Sequence, residues 1–397
     1  MADKEGKGKD SVICAHAGSL CKDSGFSGKA LWQSSVYEFD SLADLASAPY
    51  VYRRYSSPNS DELAKAVALL EDAQQGLATS SGMGALVAAV LSTCKAGDRI
   101  LAQSDCYGVT REFLEVDASR FGIKTDFIDI HHVETLERAL NKYVILDETA
   151  NGHDTAAQDS KSQIVVFLES ITNPCVRVAD LQSISGVCKK YGAFLIVDNT
   201  FATPVRIKPI KQGADMVIHS VTKFLGGHSD LVAGVVVGSS HHIQLASKLA
   251  GRWGLTAAPL DSWLATRGIR TLQVRMERAL STTAELARRI LCSSTPVKMN
   301  WSPDCAIMSI AVTGGLDGAM RAMSCFKMIR FAASMGGTST TVSHPVSTSH
   351  KFLPCAEREA MGITDGMLRI SVGLEDVEDI WSDIACGISA AATAAKP

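Results

Sequence analysis

The sequence predicts an α/β protein, with a three-layer domain around a mostly parallel sheet followed by a smaller α+β domain. The 397 residues suffice for one large α/β unit and a smaller one. Short apolar runs alternate with amphipathic segments as far as Val237, which is typical of a parallel sheet covered by helices. From Pro259 to Arg289 the pattern becomes a long, charged, amphipathic helical region. The second domain is therefore expected to begin near residue 256.

Each predicted element depends on a local pattern. Apolar residues at helical spacing predict helices, and continuous apolar runs bounded by turns predict buried strands. In chain order we expect helix 61–75, helix 84–91 after a Ser-Ser-Gly turn, strand 100–102, helix 111–121, strand 124–130, strand 163–168, helix 181–191, and strands 193–197, 216–219 and 232–237, then strand 306–312, helix 319–328 and strand 368–372. The polar residues 147–162 are expected to form an exposed insertion.

The composition argues against several classes of protein. A hydrophobic content of 46%, a charged content of 20% and a net charge of -3 describe an ordinary soluble chain, with no reason to expect nucleic-acid or membrane binding. The apolar runs are too short to span a bilayer. The 11 cysteines show no CxxC pair and no spacing of metal ligands, so we expect free thiols, no metal site and a cytoplasmic location. Residues Lys4 to Lys9 are expected to form a disordered tail.

Lys223 is the most informative residue of the chain. It follows the apolar segment 216–218, is flanked by Ser220 and Thr222, and precedes a Gly-Gly turn. A lysine at a strand end could form a Schiff base with a carbonyl cofactor, and the two hydroxyls could bind the phosphate of that cofactor. A solvated surface lysine is the alternative.

Two other segments supply groups that such a cofactor would need. Asp198 closes the apolar run 194–197, where open α/β sheets bind ligands. A carboxylate there could keep a pyridine nitrogen protonated, although a turn or capping role is the alternative. The turn from Ser80 to Gly84 precedes a helix, and its backbone N–H groups could bind an anion.

An aromatic and a basic residue complete the candidate site. Tyr107 follows a strand and could stack on a cofactor, or could be a core tyrosine. Arg369 lies between apolar neighbours in an alternating strand, and a buried arginine needs an anion. A substrate carboxylate would be held by two hydrogen bonds, and a structural ion pair is the alternative.

Taken together, these segments resemble the Cys/Met-metabolism family of pyridoxal-phosphate (PLP) enzymes. That family includes cystathionine γ-lyase, methionine γ-lyase, cystathionine β-lyase and cystathionine γ-synthase. The resemblance extends from about residue 12 to 388. It is carried by seven ordered motifs, which are residues 52–58, 80–83, 105–108, 169–174 (Glu-Ser-Ile-Thr-Asn-Pro), 197–204, the segment around Lys223 and residues 368–373.

The resemblance implies a fold, an assembly and a role for each matched residue. The fold would be the PLP-transferase fold (aspartate-aminotransferase-like, fold type I), with an N-terminal arm over 1–55, a PLP-binding domain over 56–255 and a C-terminal domain over 256–397. The arm would reach the site of a neighbouring subunit, in a homotetramer built as a dimer of dimers. Lys223 would carry the cofactor and then move protons. The cofactor would also be held by Ser81, Gly82, Met83, Ser220, Thr222 (phosphate), Asp198 (ring nitrogen), Asn173 (ring hydroxyl), Tyr107 (stacking and acid/base), and by Tyr52 and Arg54 across the subunit interface.

The substrate-binding positions are where the chain departs from the pattern. Arg369, helped by Thr340, would bind the α-carboxylate. Cystathionine γ-lyases have acidic residues near the site entrance where this chain has Val51 and Ser339, and a basic residue where it has Glu112. Methionine γ-lyases usually have a cysteine at the position of Val109.

The sequence leaves three functions open. The first is a C–S lyase, similar to cystathionine γ-lyase, that releases a 2-oxo acid, ammonia and a thiol. The second is a γ-synthase that replaces the ester group of an activated homoserine with cysteine. The third is a pseudoenzyme that keeps the fold without turnover.

Overall fold

A computed structural model of the chain describes residues 3–18, 29–151, 162–293 and 297–392. The helices in these ranges are α1 (Asp3–Ala15), α2 (Leu42–Ser47), α3 (Pro58–Glu71), α4 (Gly82–Thr93), α5 (Gly108–Glu112), α6 (Ala118–Arg120), α7 (Val133–Asn151), α8 (Leu181–Tyr191), α9 (Thr203–Arg206), α10 (Ser240–Trp253), α11 (Pro259–Ile269), α12 (Leu272–Leu291), α13 (Gly315–Cys325), α14 (Cys355–Ala360) and α15 (Val377–Ala392). The strands are β1 (Gln75–Thr79), β2 (Arg99–Gln103), β3 (Lys124–Ile128), β4 (Ile164–Glu169), β5 (Phe194–Asp198), β6 (Met216–Ser220), β7 (Gly234–Gly238), β8 (Lys298–Trp301), β9 (Ile307–Ala311), β10 (Arg330–Phe331), β11 (Thr341–Ser343) and β12 (Met367–Ser371).

The larger sheet has the strand order β1-β7-β6-β5-β4-β2-β3. The five strands from β6 to β3 run parallel, and β7 is antiparallel to both of its neighbours. Apolar side chains on both faces pack under helices, because parallel strands are buried on both sides. The three-layer, mostly parallel α/β fold is therefore confirmed.

The smaller sheet has the order β10-β11-β12-β9-β8. Its central pairs are antiparallel, and α12, α13 and α15 contribute to the apolar cluster on one face. This arrangement of helices against one face of an antiparallel sheet is the α+β unit that the sequence predicts.

Several local predictions need correction. The helix expected over 61–75 ends at Glu71, because Asp72 adopts a left-handed conformation (φ 59°), and residues 75–79 form β1 instead. Gly76 obscures this strand in the sequence, but it lets β1 pack on α3, since a Cβ at this position would lie 2.6 Å from the Ala64 carbonyl oxygen.

Three further segments differ from expectation. The helix expected over 111–121 is interrupted by a π-helical turn over 113–117 between α5 and α6. Residues Lys4 to Lys9, expected to be disordered, belong to α1, where Lys9 pairs with Asp72 at 3.0 Å. Of the expected insertion over 147–162, residues 147–151 end α7, whereas residues 152–161 lie outside the described residues. None of the helices in the described ranges is both long and apolar enough to cross a membrane.

Asp383 on α15 stabilises the connection between α13 and β10. Its carboxylate accepts hydrogen bonds from the backbone N–H groups of Lys327, Met328 and Ile329 at 2.7–3.1 Å. Burial raises the pKa of this carboxyl, but the three N–H groups outweigh that effect and hold the pKa below its ordinary value.

We expect Asp383→Asn to lower the free energy of unfolding by about 2 kcal/mol, because the amide cannot accept all three hydrogen bonds. The pKa is lower in the folded state, so the contribution is complete above about pH 4 and is lost as the pH falls through the folded-state pKa. Urea unfolding at pH 7 and at pH 3 measures both effects. A difference between variant and wild type that does not shrink at pH 3 would contradict this explanation.

Candidate active site

Polar side chains collect at the carboxyl ends of the parallel strands. Glu169 ends β4, Asp198 ends β5, Ser220 ends β6, and Lys223 follows three residues later. They line a cavity of about 800 Å³ between the two sheets, where open α/β sheets bind ligands. The sequence-predicted residues that line this cavity are Ser81, Gly82, Met83, Tyr107, Val109, Glu112, Asn173, Asp198, Ser220, Thr222, Lys223 and Arg369.

The start of α4 is suited to bind a phosphate. Ser81 caps the helix, and its hydroxyl accepts a hydrogen bond from Gly84 N at 3.0 Å. The N–H groups of the first turn have no partner within the helix and attract an anion. Ser220 borders the same space, and a Cβ on Gly82 would lie 2.7 Å from Ser220 Cβ. Thr222 also lines the cavity. Its hydroxyl donates a hydrogen bond to the Ala233 carbonyl oxygen at 3.2 Å and accepts one from Ala233 N at 3.1 Å.

Gly82→Ala is expected to weaken the binding of PLP to the apoprotein at least about tenfold, because the added methyl group pushes α4 away from Ser220. Fluorescence titration of the apoprotein with PLP measures this loss. Gly186→Ala is the matched control, since a Cβ there meets no atom within 4 Å. Equal affinities for PLP in the two variants would show that the close approach at Gly82 does not shape the site.

Lys223 lies inside the cavity with its amine 3.1 Å from the Ser334 hydroxyl. Burial and the positive charge of Arg369 both lower the pKa of this amine. A lowered pKa increases the neutral fraction, which is the form that attacks a carbonyl group. The geometry is therefore suited to covalent attachment of a carbonyl cofactor.

The loop that follows Lys223 is fixed by a second arginine. Arg275 on α12 donates hydrogen bonds to the carbonyl oxygens of Phe224 at 2.8 Å, Leu225 at 3.4 Å and Gly268 at 2.7 Å. It is almost fully buried, and burial lowers its pKa to about 10. The contact needs a glycine at 227, because a Cβ there would lie 2.0 Å from Arg275 Nη1.

The Asp198 carboxylate has one oxygen available for a ligand. Oδ1 accepts hydrogen bonds from Thr200 N at 2.9 Å and from the Thr200 hydroxyl at 2.5 Å. Asp198 lines the cavity, and no residue in the described ranges donates a hydrogen bond to its Oδ2. Burial holds the pKa of the carboxyl above its ordinary value, although the two hydrogen bonds from Thr200 partly offset this effect. A protonated pyridine nitrogen fits this position.

Arg369 is a buried cation without an anionic partner in the described ranges. Its side chain is 6% exposed, and it donates to Asn173 Oδ1 at 2.8 Å and to the Ser334 carbonyl oxygen at 3.1 Å. Its Nε has no hydrogen-bond partner. Burial lowers the pKa of the guanidinium to about 10. A carboxylate entering the cavity would satisfy both the charge and the unpaired Nε–H.

Sequence reasoning missed the role of Glu169, which connects Tyr107 to Asn173. Its Oε1 accepts a hydrogen bond from Tyr107 N at 2.7 Å, and its Oε2 accepts one from Asn173 N at 2.8 Å. Burial and the neighbouring charge of Asp198 raise the pKa of the carboxyl well above its ordinary value. The signal was present, since Glu169 ends an apolar strand just as Asp198 does. Ser334 and His350 were also missed, because they come from loops without a periodic pattern.

Five predicted site residues lie outside the cavity lining of their own chain. Val51, Tyr52 and Arg54 are on an exposed segment, where Arg54 donates to the Gly251 carbonyl oxygen at 2.6 Å. Ser339 is exposed. Thr340 is buried, and its hydroxyl donates to Glu375 Oε2 at 2.7 Å and accepts from Gly373 N at 2.9 Å. The structure therefore does not bring these residues to the site within one subunit.

Comparisons with known proteins agree with this geometry. The profile of a family described as Cys/Met metabolism PLP-dependent enzyme matches residues 11–389. L-methionine γ-lyase of Fusobacterium nucleatum subsp. polymorphum is 32% identical over 94% of this chain and 96% of its own length. Cystathionine β-lyase of Lactococcus lactis subsp. cremoris is 34% identical over 93% of this chain and 96% of its own length. The crystal structure of cystathionine γ-synthase from Xanthomonas oryzae pv. oryzae, in complex with aminoacrylate and cysteine, matches with a TM-score of 0.88 at 29% identity, covering 97% of this chain and 98% of that chain.

Proposed function

The chain belongs to the Cys/Met metabolism PLP-dependent enzymes, and from this premise we propose that it is a C–S lyase that acts on cystathionine or a related sulfur amino acid. The products would be a thiol, a 2-oxo acid and ammonia. The observation that carries this proposal is Arg369, a buried cation with an unpaired Nε in the same cavity as Lys223. An amino-acid carboxylate bound there would place the substrate beside the lysine.

The residues present fit the cofactor. Lys223 would bind it covalently, the start of α4 with Ser220 would hold its phosphate, and the free oxygen of Asp198 would meet its ring nitrogen. Asn173 would use its side-chain N–H, because its Oδ1 is occupied by Arg369. When bound, PLP supplies an electron sink for negative charge at the substrate's α-carbon.

The protein's own groups would then bind the substrate and move protons. Arg369 would fix the α-carboxylate by charge-assisted hydrogen bonds. Lys223, with its lowered pKa, would take the α-proton as a general base. Burial raises the pKa of the Tyr107 hydroxyl, which the charge of Arg369 partly offsets. Tyr107 would therefore remain protonated and could donate a proton to the leaving sulfur.

A γ-synthase is the second candidate, because the Xanthomonas oryzae structure that matches along nearly the whole chain is a cystathionine γ-synthase. To separate the two, the purified protein is incubated with cystathionine, cysteine, methionine or O-acetylhomoserine, with and without added thiol. We expect ammonia and a 2-oxo acid from a single sulfur amino acid. A product that forms only when O-acetylhomoserine and cysteine are both present would favour the synthase. A purified protein without the visible absorbance of bound PLP would favour the pseudoenzyme.

Glu112 is our candidate for the residue that binds the end of the substrate farthest from the α-carboxylate. It lines the cavity one helical turn beyond Gly108, and no cation in the described ranges pairs with it. The adjacent Arg111 instead contacts Glu115 at 3.8 Å and Glu357 at 3.3 Å. Glu112 is therefore free to bind the distal ammonium group of cystathionine, which methionine lacks.

We expect Glu112→Gln to lower kcat/KM for cystathionine about fivefold and to leave kcat/KM for methionine unchanged, since an exposed charge pair contributes up to about 1 kcal/mol. Steady-state kinetics with both substrates tests this prediction. Asp117→Asn removes a carboxylate from the same segment outside the cavity lining and is the matched control. Equal losses for both substrates in Glu112→Gln would exclude a role in recognising the distal end.

We further propose a cytoplasmic homotetramer with shared active sites and the domain boundaries 1–55, 56–255 and 256–397. Tyr52 is 41% exposed and lies with Arg54 outside the cavity of its own chain, as expected of groups that serve a neighbouring subunit. The cysteines of the described ranges are free thiols, which suits a reducing compartment. Analytical ultracentrifugation tests the assembly. Activity in a mixture of Lys223→Ala and Tyr52→Ala subunits that exceeds the activity of either variant alone would support shared sites.

A further inference from the structure

Two cysteines lie where α13 packs against α15. Cys325 is the last residue of α13, and Cys386 lies in the second half of α15. Cys386 is exposed and Cys325 is half-buried, so solutes can reach this pair from the surface. Neither residue lines the cavity that contains Lys223, and the proposed function gives them no role.

Gly387, the residue after Cys386, gives α15 a close approach to the end of α13. A Cβ at this position would lie 3.1 Å from the Ala322 carbonyl oxygen and 2.5 Å from Phe326 Cε1. Because glycine has no side chain, the two helix backbones can come into contact here. Ala322 lies about one helical turn before Cys325 and Phe326 directly follows it, so α15 contacts α13 on both sides of this cysteine.

Asp383 makes a second contact, about one turn before Cys386 on the same helix. It accepts hydrogen bonds from the backbone N–H groups of residues 327–329, just after Cys325. The segment around Cys325 is thus bound from both sides of Cys386, which places the two cysteines opposite each other. Burial raises the pKa of the Cys325 thiol, and the neighbouring Cys386 thiol raises it further through a hydrogen bond and its charge. A raised pKa lowers the thiolate fraction of Cys325, so the exposed Cys386 reacts first.

The close approach of the helices suits a disulfide. The Cα atoms of two bonded cysteines usually lie about 4.4–6.8 Å apart, and a larger separation requires the backbone to move. The contact of Gly387 with the Ala322 backbone provides the closeness that this bond needs. Both helices can therefore keep their positions when the bond forms.

We propose that Cys325 and Cys386 form a redox-sensitive dithiol, which a small disulfide such as glutathione disulfide oxidises to an intrachain disulfide. The Cys386 thiolate attacks one sulfur of the oxidant, forms a mixed disulfide and releases one thiol. Cys325 then attacks the Cys386 sulfur, and the second thiol leaves. The oxidant gains the two electrons that the cysteines lose, and the two protons end on the released thiols. In a reducing compartment such a bond is transient and senses the oxidation state of the thiol pool.

The position of the bond gives it a structural effect. From Cys325 the chain continues through the segment that Asp383 binds and through β10 to Ser334, whose hydroxyl lies 3.1 Å from the Lys223 amine. The disulfide fastens the start of this connection to α15. It closes a loop of about 60 residues, which constrains the unfolded chain. We therefore expect the oxidised protein to melt about 5 °C above the reduced protein.

The test oxidises the purified holoenzyme with glutathione disulfide, blocks the remaining thiols with iodoacetamide and digests the protein with trypsin. The sequence places Cys325 alone in peptide 322–327, Cys386 alone in peptide 370–397 and Cys355 alone in peptide 352–358. We expect mass analysis to find the first two peptides joined, in a chain that stays monomeric on a denaturing gel without reductant. The exposed Cys355, whose thiol lies 3.7 Å from Glu359 Oε1, should instead carry glutathione.

Cys325→Ser should stop the reaction at the mixed disulfide, because it removes the thiol that attacks it. Glutathione should then stay on Cys386 at least about tenfold longer than in the wild type, where the second step is intramolecular. Cys355→Ser is the matched control. It removes an exposed thiol elsewhere and should yield the joined peptides as the wild type does.

Glutathione that stays on Cys386 of the wild-type protein, no reaction at Cys386, or a covalent dimer through Cys386 would each overturn the proposal. So would a melting temperature that fails to rise on oxidation, since the helices would then have to distort to form the bond. The wild-type peptides decide the question even if a variant does not fold. The proposal goes beyond the proposed function and is independent of it, because a protein without turnover would still give the joined peptides.

Discussion

Replacing Lys223 by alanine is expected to abolish covalent attachment of the cofactor and to reduce turnover about a thousandfold or more. The variant loses both the amine that binds PLP and the base that moves the α-proton, and general base catalysis alone contributes up to about 10⁴-fold. Within the described residues, the Lys223 amine hydrogen-bonds only to the Ser334 hydroxyl, so the fold should remain intact. Absorbance spectra, borohydride trapping followed by peptide mass analysis, and steady-state kinetics measure these effects.

Lys223→Arg controls for the loss of positive charge in the cavity. It keeps a cation of similar length, but a guanidinium does not form the covalent bond. It should therefore be as inactive as Lys223→Ala, while its melting temperature stays close to that of the wild type. Borohydride labelling of a different lysine in the wild-type protein would refute the assignment.

Replacing Arg369 by alanine is expected to lower kcat/KM for sulfur amino acids by about a hundredfold, mainly through a higher KM. The guanidinium is almost fully buried, and in the described ranges its hydrogen bonds go to Asn173 Oδ1 and the Ser334 carbonyl oxygen rather than to a carboxylate, so a bound substrate carboxylate would be its counter-ion. Removing one partner of a buried charge pair costs about 2–5 kcal/mol. The pKa of Lys223 should also rise, because Arg369 helps to lower it.

A substrate whose α-carboxylate is converted to an amide separates recognition from general damage. The wild type should have a much higher kcat/KM for the acid than for the amide. Arg369→Ala should lose this preference, because it lacks the guanidinium that binds the negative charge. Arg369→Lys should be intermediate, since it keeps the charge without the planar pair of donors. An unchanged preference for the acid in Arg369→Ala would show that another group binds the carboxylate.

The sequence predicted the sheet and the cofactor side of the cavity because buried parallel strands produce continuous apolar runs. Asp198 and Lys223 follow such runs, so their position at the same edge of the sheet could be inferred from the expected parallel direction of the strands. The Ser-Gly turn before α4 has a similarly local signature, since a capping serine and small residues precede an apolar helix.

The remainder of the site depends on contacts between distant segments, which local patterns do not encode. Ser334 contacts the Lys223 amine and His350 lines the cavity, and both lie on loops between strands of the smaller sheet. Thr340 was expected to help Arg369, but its hydroxyl hydrogen-bonds to Glu375. The apolar and polar alternation within a single strand does not predict this contact, because Glu375 belongs to a different segment. Likewise, the π-helical turn over 113–117 does not disturb the apolar spacing enough to be seen in the sequence.

The hydrogen bonds of Arg275 make the order of synthesis relevant to cofactor loading. During translation the strands that end at Asp198 and Ser220 emerge well before α12, and domains generally fold as they emerge. Until α12 packs, the carbonyl groups of Phe224 and Leu225 lack their donor, and each buried unpaired group costs about 1–3 kcal/mol. A nascent chain ending near residue 255 would therefore hold Lys223 on an unfixed loop. The protein would acquire its capacity to retain PLP only when nearly three quarters of the chain has been made.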